Sequence, residues 1–233
     1  MKKGKKIAII SLIVVVTLVL VCFAGVGIYA SDYRTLDENF YYVLEDAGVT
    51  QYDDMVHFEA DSDVGLVFYQ GGRVDYLAYA PLMQKLQQAG INVFLVDTAY
   101  NMACFGINKA SAIMEEYTAI TNWYVGGHSL GGVMANVFAS NHSDEINGLV
   151  MLGIYLSSDY DVENTITIYG SNDLRVGDSV TYTTNVHVIE GGNHAQFGNY
   201  GPNDGDGVAT ITTEEQQNIT VELVSAFMNT RNK

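Results

Sequence analysis

The sequence predicts an α/β domain, a mostly parallel sheet with helices on both faces and little or no cap, preceded by one N-terminal transmembrane helix. Three observations predict it. Residues 1–30 run from basic to wholly apolar, and strand-length apolar runs alternate with helical patterns through the middle of the chain. A glycine-rich turn, Gly127-His128-Ser129-Leu130-Gly131-Gly132, stands between a strand and a helix.

Lys2, Lys3, Lys5 and Lys6 precede an uncharged stretch from Ile7 to Ala30. As a helix its roughly 24 residues rise about 36 Å, enough to cross a hydrocarbon core of about 30 Å. The apolar part of a cleaved signal peptide is shorter, about 7–15 residues, and ends on a small-x-small site that Ile28-Tyr29-Ala30 matches poorly. An uncleaved anchor is the preferred reading, and secretion after cleavage is the alternative. Val19-Leu20-Val21 before Cys22 lacks the small residues of a lipidation site. The lysines favour the cytoplasmic side, which places residues 31–233 outside the cell as one domain.

That domain holds all 27 acidic residues and 7 of the 11 basic ones, a formal charge of −20. Such a surface repels phosphate backbones, so nucleic acid is not an expected partner. The same charge keeps an exported domain soluble. Cys22 lies in the apolar run and Cys104 stands alone in the domain, so no intramolecular disulfide is expected there. Cys104 reads as a small buried hydrophobe.

Taken in order, Asp32–Tyr52 reads as a lead-in helix, with Leu36, Phe40, Val43, Leu44 and Ala47 at helical spacing and Gly48 as its stop. Met55–Glu59 reads as a short edge strand. Val64–Tyr69, apolar on both parities, suits a strand covered on both faces. A helix over Ala78–Ala89 and a strand over Asn92–Val96 follow. Helical character over Lys109–Tyr117 precedes a strand at Asn122–Val125 that runs into the glycine-rich turn. Beyond it come a helix (Gly132–Ser140), strands at Gly148–Tyr155, Thr165–Tyr169 and Asn185–Ile189, and a closing helix, Thr213–Asn229. Only a short polar stretch separates Tyr155 from Thr165, which predicts an open or shallow pocket.

The turn fits Gly-x-Ser-x-Gly, in which a serine occupies a strained strand-to-helix bend and flanking glycines keep the neighbouring bulk minimal. Ser129 is the candidate nucleophile. It stands at a helix N-terminus, where the Leu130 N–H and the helix dipole favour developing negative charge. A phosphate loop would need Gly-Lys-Ser/Thr, and the spacing is not that of a dinucleotide fingerprint.

A serine hydroxyl needs a base, and the base needs an orienting acid. His142, His187 and His194 follow Ser129. His142 sits in a helix-to-strand connection and His187 inside the last strand, whereas His194 follows that strand directly, where a loop can carry it to the serine. Asp173 ends the strand Thr165–Tyr169 and is the candidate acid, with Asp159 and Asp161 as runners-up. The loop Tyr69-Gln70-Gly71-Gly72-Arg73 ends an earlier strand and offers the N–H of Gly72 or Arg73 as a second oxyanion donor.

With these residues placed, the chain resembles the α/β-hydrolase superfamily, and within it a compact dienelactone-hydrolase-like branch. The resemblance rests on Tyr69-Gln70-Gly71-Gly72-Arg73-Val74-Asp75 through Tyr79-Ala80-Pro81-Leu82, on Asn101-Met102-Ala103 through Asn108-Lys109-Ala110, and on Gly192-Asn193-His194-Ala195-Gln196-Phe197-Gly198 with Tyr200-Gly201. It spans roughly Asp63 to Met228. It implies an acyl-transfer hydrolase with Ser129, Asp173 and His194 as its triad, and it implies no particular substrate, because the fold hosts esterases, lipases, thioesterases and other chemistries. Gln70 departs from the wider superfamily, where histidine is common.

The expected substrate is a small-molecule or lipid-like ester, with the membrane as the partner of the N-terminal helix. No metal or organic cofactor is expected, because H-E-x-x-H and paired-cysteine spacings do not occur and Asn203-Asp204-Gly205-Asp206-Gly207 lacks the register of a calcium loop. Tyr41, Tyr42, Tyr76, Tyr79 and Tyr100 serve packing or line a pocket. The same machinery would serve a surface acyltransferase, and a binding protein could keep the fold without the chemistry.

Overall fold

The structure, a computed structural model, describes residues 3–231. Helix α1, Lys3–Ser31, is long and apolar enough to cross a membrane, and its most apolar 18-residue window is unburied, whereas Ala30 at its end is buried.

The chain then leaves helical geometry. In place of the long lead-in helix, residues 32–36 run extended, and Arg34 bridges Val74 in parallel fashion. A 3-10 helix, Glu38–Glu45, follows, started by Asp37, whose carboxylate accepts from the Asn39 N–H. Two groups override helical propensity here. The Arg34 N–H donates to the Arg73 carbonyl and the Asp37 N–H to the Asn199 carbonyl, each at 2.9 Å or less, so the backbone is spent on the domain rather than on its own turns.

The sheet has eight strands: β1 (Val49–Gln51), β2 (Met55–Phe58), β3 (Val64–Tyr69), β4 (Asn92–Val96), β5 (Asn122–His128), β6 (Gly148–Leu152), β7 (Thr165–Gly170) and β8 (Val186–Ile189). Their order is β1-β2-β4-β3-β5-β6-β7-β8. From β4 to β8 neighbours pair in parallel, while β2 pairs antiparallel with β4, and β1 with β2. The expected edge strand is therefore interior, because residues 49–51 supply the edge instead. All residues of β3, β4 and β5 are buried, as doubly covered strands require.

Helices α2 (Ala80–Gln88) and α5 (Thr213–Asn229) cover one face, where Leu82, Leu86, Val224 and Phe227 meet Leu66, Phe68 and Leu95. On the other face α3 (Lys109–Glu116) and α4 (Leu130–Asn141) set Ile113, Ala135 and Phe138 against Val67, Phe94 and Val125. Pro81 at the start of α2 and the Thr212–Glu215 capping box before α5 fix where those helices begin. Chain order reverses between β3 and β5, so the loops leaving those two strands flank the crevice where such sheets place their sites.

Cys104 corrects the expectation of burial. It is exposed, because the 3-10 turn Ala103–Phe105 turns Ala103 inward instead.

Candidate active site

Strand β5 continues past Val125 through both glycines to His128, and Ser129 then takes φ +51° and ψ −119° before α4 begins at Leu130. A non-glycine residue in that region costs on the order of 1–3 kcal/mol. Two backbone bonds hold it there. The Ser129 N–H donates to the Leu152 carbonyl at 2.9 Å, and its carbonyl accepts from Val133 at 3.1 Å.

The bend is possible because helix and strand nearly touch. A Cβ on Gly131 would strike the Tyr69 carbonyl oxygen and stand 2.6 Å from its carbon. Gly131→Ala should therefore push α4 off the end of β3 and destabilise the protein by roughly 3 kcal/mol, read as a lowered unfolding midpoint in detergent. An unchanged midpoint would show that the two elements have room to part.

His194 and Asp173 meet as the sequence predicts. Nδ1 of His194 lies 2.8 Å from Oδ2 of Asp173, and the two residues are 2% and 3% exposed. Asp173 keeps its second oxygen on the Arg175 N–H at 2.9 Å. Ser129 and His194 line one cavity of about 320 Å³. His142 instead pairs with Glu145 on the surface, and Asp161 caps a 3-10 turn through the Glu163 N–H. That turn, Val162–Asn164, is the sole helical element between Tyr155 and Thr165, so the stretch supplies no cap.

Several groups that shape the site carry no sequence motif. Asp206 accepts from the N–H groups of His194 and Ala195 at 3.1 and 2.8 Å. Gln216 of α5 clamps both backbone groups of Asn193, each at 2.9 Å. Together they fix the loop that carries His194. The signal for Asp206 was an acid in a glycine-rich loop close to the histidine loop; nothing distinguishes Gln216 from any other glutamine in a helix.

Beneath His194 lies His128, 1% exposed, with ring centroids 4.4 Å apart. Its Nδ1 is 2.8 Å from the Tyr79 hydroxyl, which also accepts the Gly71 N–H at 3.0 Å. Tyr79 thus ties the loop after β3 to the residue before Ser129. Burial holds His128 well below the usual histidine range, and the charges of His194 and Arg175 add to the shift. Burial likewise pushes the Tyr79 phenol well up. His128 stays neutral, and it can lie under His194 without repelling a positive charge there.

This has a consequence for stability. The unfolded chain protonates His128 near pH 6.5, while the folded chain resists until a lower pH, so unfolding takes up a proton in between. The His128 contribution is fully present above about pH 6.5 and is lost as pH falls below it, at roughly 1.4 kcal/mol per unit. Thermal unfolding between pH 7.5 and 5 should show that slope, and His128→Asn should flatten it to what His57 and His187, both also depressed by burial, leave behind. Equal slopes in both proteins would contradict a neutral buried His128.

Of the expected donors in the loop after β3, the structure separates two. The Arg73 N–H is taken by the Asn101 carbonyl at 2.9 Å, and the Gly71 N–H by Tyr79. Gly72 donates to no group among the described residues and faces Leu130, since a Cβ on it would stand 3.0 Å from Leu130 Cδ2. Leu130, the first residue of α4, also has an N–H outside the helical ladder. Arg73 contributes through its side chain instead, pairing with Asp32 and lying 4.7 Å from the Tyr29 ring. Gln70 is wholly buried and donates to Thr98 Oγ1 at 2.7 Å.

Comparison with known proteins bears on the fold. No curated protein matches the sequence. Among solved structures, a predicted CIB-like hydrolase from Thermoplasma acidophilum superposes with a TM-score of 0.54 at 13% identity, covering 77% of this chain and 100% of its own. A soluble variant of monoglyceride lipase from Saccharomyces cerevisiae gives 0.54 at 11%, covering 81% and 96%. Dienelactone hydrolase from Anabaena variabilis gives 0.52 at 12%, covering 80% and 100%. At such identities the likeness is one of fold. The model of the alpha/beta hydrolase family matches residues 65–218, most of the domain, and the chain belongs to that family.

Proposed function

We propose that the protein is a serine hydrolase that cleaves carboxylic esters at a membrane surface. The observation that carries the reading is that Ser129, held at φ +51° on a strand-to-helix bend, and His194 line one crevice, with His194 paired through Nδ1 to buried Asp173 behind it. Ser129 Oγ attacks the ester carbonyl while His194 Nε2 takes its proton, then returns it to the departing alcohol. Asp173 orients the imidazole and stabilises its charged form. The N–H groups of Leu130 and Gly72 receive the oxyanion, and water then releases the acyl group from Ser129. Helix α1 is the anchor of this reading, with residues 31–233 as one domain facing outward; the four N-terminal lysines support that orientation.

The test is labelling with a fluorophosphonate, which esterifies an activated serine. Wild-type protein should label and Ser129→Ala should not, with both showing the same cooperative unfolding. Folded wild type that resists the probe would end the serine-hydrolase reading.

A further inference from the structure

The domain carries a formal charge of −20, yet of its seven basic residues three, Arg34, Arg73 and Arg175, line the crevice that holds Ser129 and His194. Their neutralisation is uneven. Arg73 is paired with Asp32. Arg34 reaches Asp204 only at 3.8 Å, and that carboxylate is fully exposed, so the pair is weak. Arg175 makes no ion pair with any described carboxylate; its guanidinium donates to the backbone carbonyl of Asp204 at 3.0 Å.

These cations are held by the framework of the site. Arg175 follows Asp173, and its own N–H bonds that carboxylate. Arg34 is fixed by two backbone bonds to the loop after β3, donating to the Arg73 carbonyl at 2.9 Å and accepting from the Asp75 N–H at 2.8 Å. One comes from the strand end that bears Asp173, the other from the segment leaving the membrane helix, and both face the same cavity.

A surface at −20 repels anions in general; three guanidinium groups at one crevice, which Asp32 and Asp204 also line, weaken that repulsion there. Guanidinium groups recognise carboxylate and phosphate through parallel N–H donors. We infer that Arg175 and Arg34 form an anion subsite beside Ser129, and that the ester this crevice takes carries a carboxylate or phosphate group close to the scissile bond. The inference rests on the serine-hydrolase reading and adds to it the class of substrate.

The test compares two esters of equal chain length, 4-nitrophenyl hexanoate and 4-nitrophenyl hydrogen adipate, on full-length protein in a neutral detergent. Wild type should favour the anionic ester by at least tenfold in kcat/KM. Arg175→Gln should bring the ratio close to one, whereas Lys85→Gln, which removes a cation on α2, should keep the wild-type ratio. A wild-type ratio at or below one, or an unchanged ratio in Arg175→Gln, overturns the subsite while leaving the hydrolase reading in place. A second readout does not need turnover. Adipate or glycerol 1-phosphate at millimolar concentration should slow fluorophosphonate labelling of wild type but not of Arg175→Gln, and the one that protects better distinguishes carboxylate from phosphate. Protection by neither overturns the subsite; no labelling at all overturns the hydrolase reading and the subsite with it.

Discussion

Ser129→Ala should lower kcat on a 4-nitrophenyl ester by about a millionfold while unfolding within about 0.5 kcal/mol of wild type. The two halves of this expectation have separate grounds. On the proposed mechanism the acyl group is carried on Oγ, and neither histidine beside it takes its place: His194 is committed to Asp173 and His128 lies buried beneath it. What survives is the rate that oxyanion donors and binding give to attack by water, roughly a thousandfold or more over the uncatalysed reaction. Stability is spared because the bend is held by backbone bonds to Leu152 and Val133, which alanine keeps. A variant retaining more than about one per cent of kcat would move the nucleophile elsewhere, whatever its geometry suggests.

The fold was legible wherever local pattern and tertiary demand agree. β3 and β4 fall on the residues their apolar runs mark, and α5 runs over the predicted span because Thr212 and Glu215 cap it in sequence as well as in space. The lead-in helix failed for the opposite reason. Leu36, Val43 and Leu44 are indeed buried, but the backbone beside them bonds to Arg73 and Asn199, partners that no periodicity announces. Ser129, Asp173 and His194 could be proposed from sequence because each follows the end of a strand that the apolar runs locate. The roles of Gln216 and Tyr79 could not, since each acts on a backbone group of another loop and such pairings leave no spacing to read, while Asp206 offered only an acid in a glycine-rich loop near the histidine loop. The segment of residues 29–34 is the sharpest case. Composition reads Tyr29 and Ala30 as the end of an anchor and Asp32 onward as a lead-in helix, whereas Tyr29, Asp32 and Arg34 line the crevice.

On the proposed mechanism, Asp173→Asn should lower kcat by about ten thousandfold with little change in unfolding temperature. The carboxylate spends one oxygen on the Arg175 N–H and the other on His194 Nδ1. Asparagine fits the same space, but its two ends differ. The Arg175 N–H accepts no proton and requires an oxygen, so the amide must turn its oxygen that way and its NH2 toward His194. An NH2 can only donate, which obliges Nδ1 to be the bare nitrogen and moves the imidazole proton to Nε2. Nε2 is then unable to take the proton of Ser129. The loss should fall almost wholly in kcat, because nothing that lines the crevice has moved, and fluorophosphonate labelling should slow in parallel. Asp173→Ala offers the check: with no amide to enforce the wrong tautomer, it should remain more active than Asp173→Asn if tautomer control dominates. If the order is reversed, the carboxylate acts mainly by stabilising charge on the imidazole. A loss below tenfold in both would assign the orienting role to another acid.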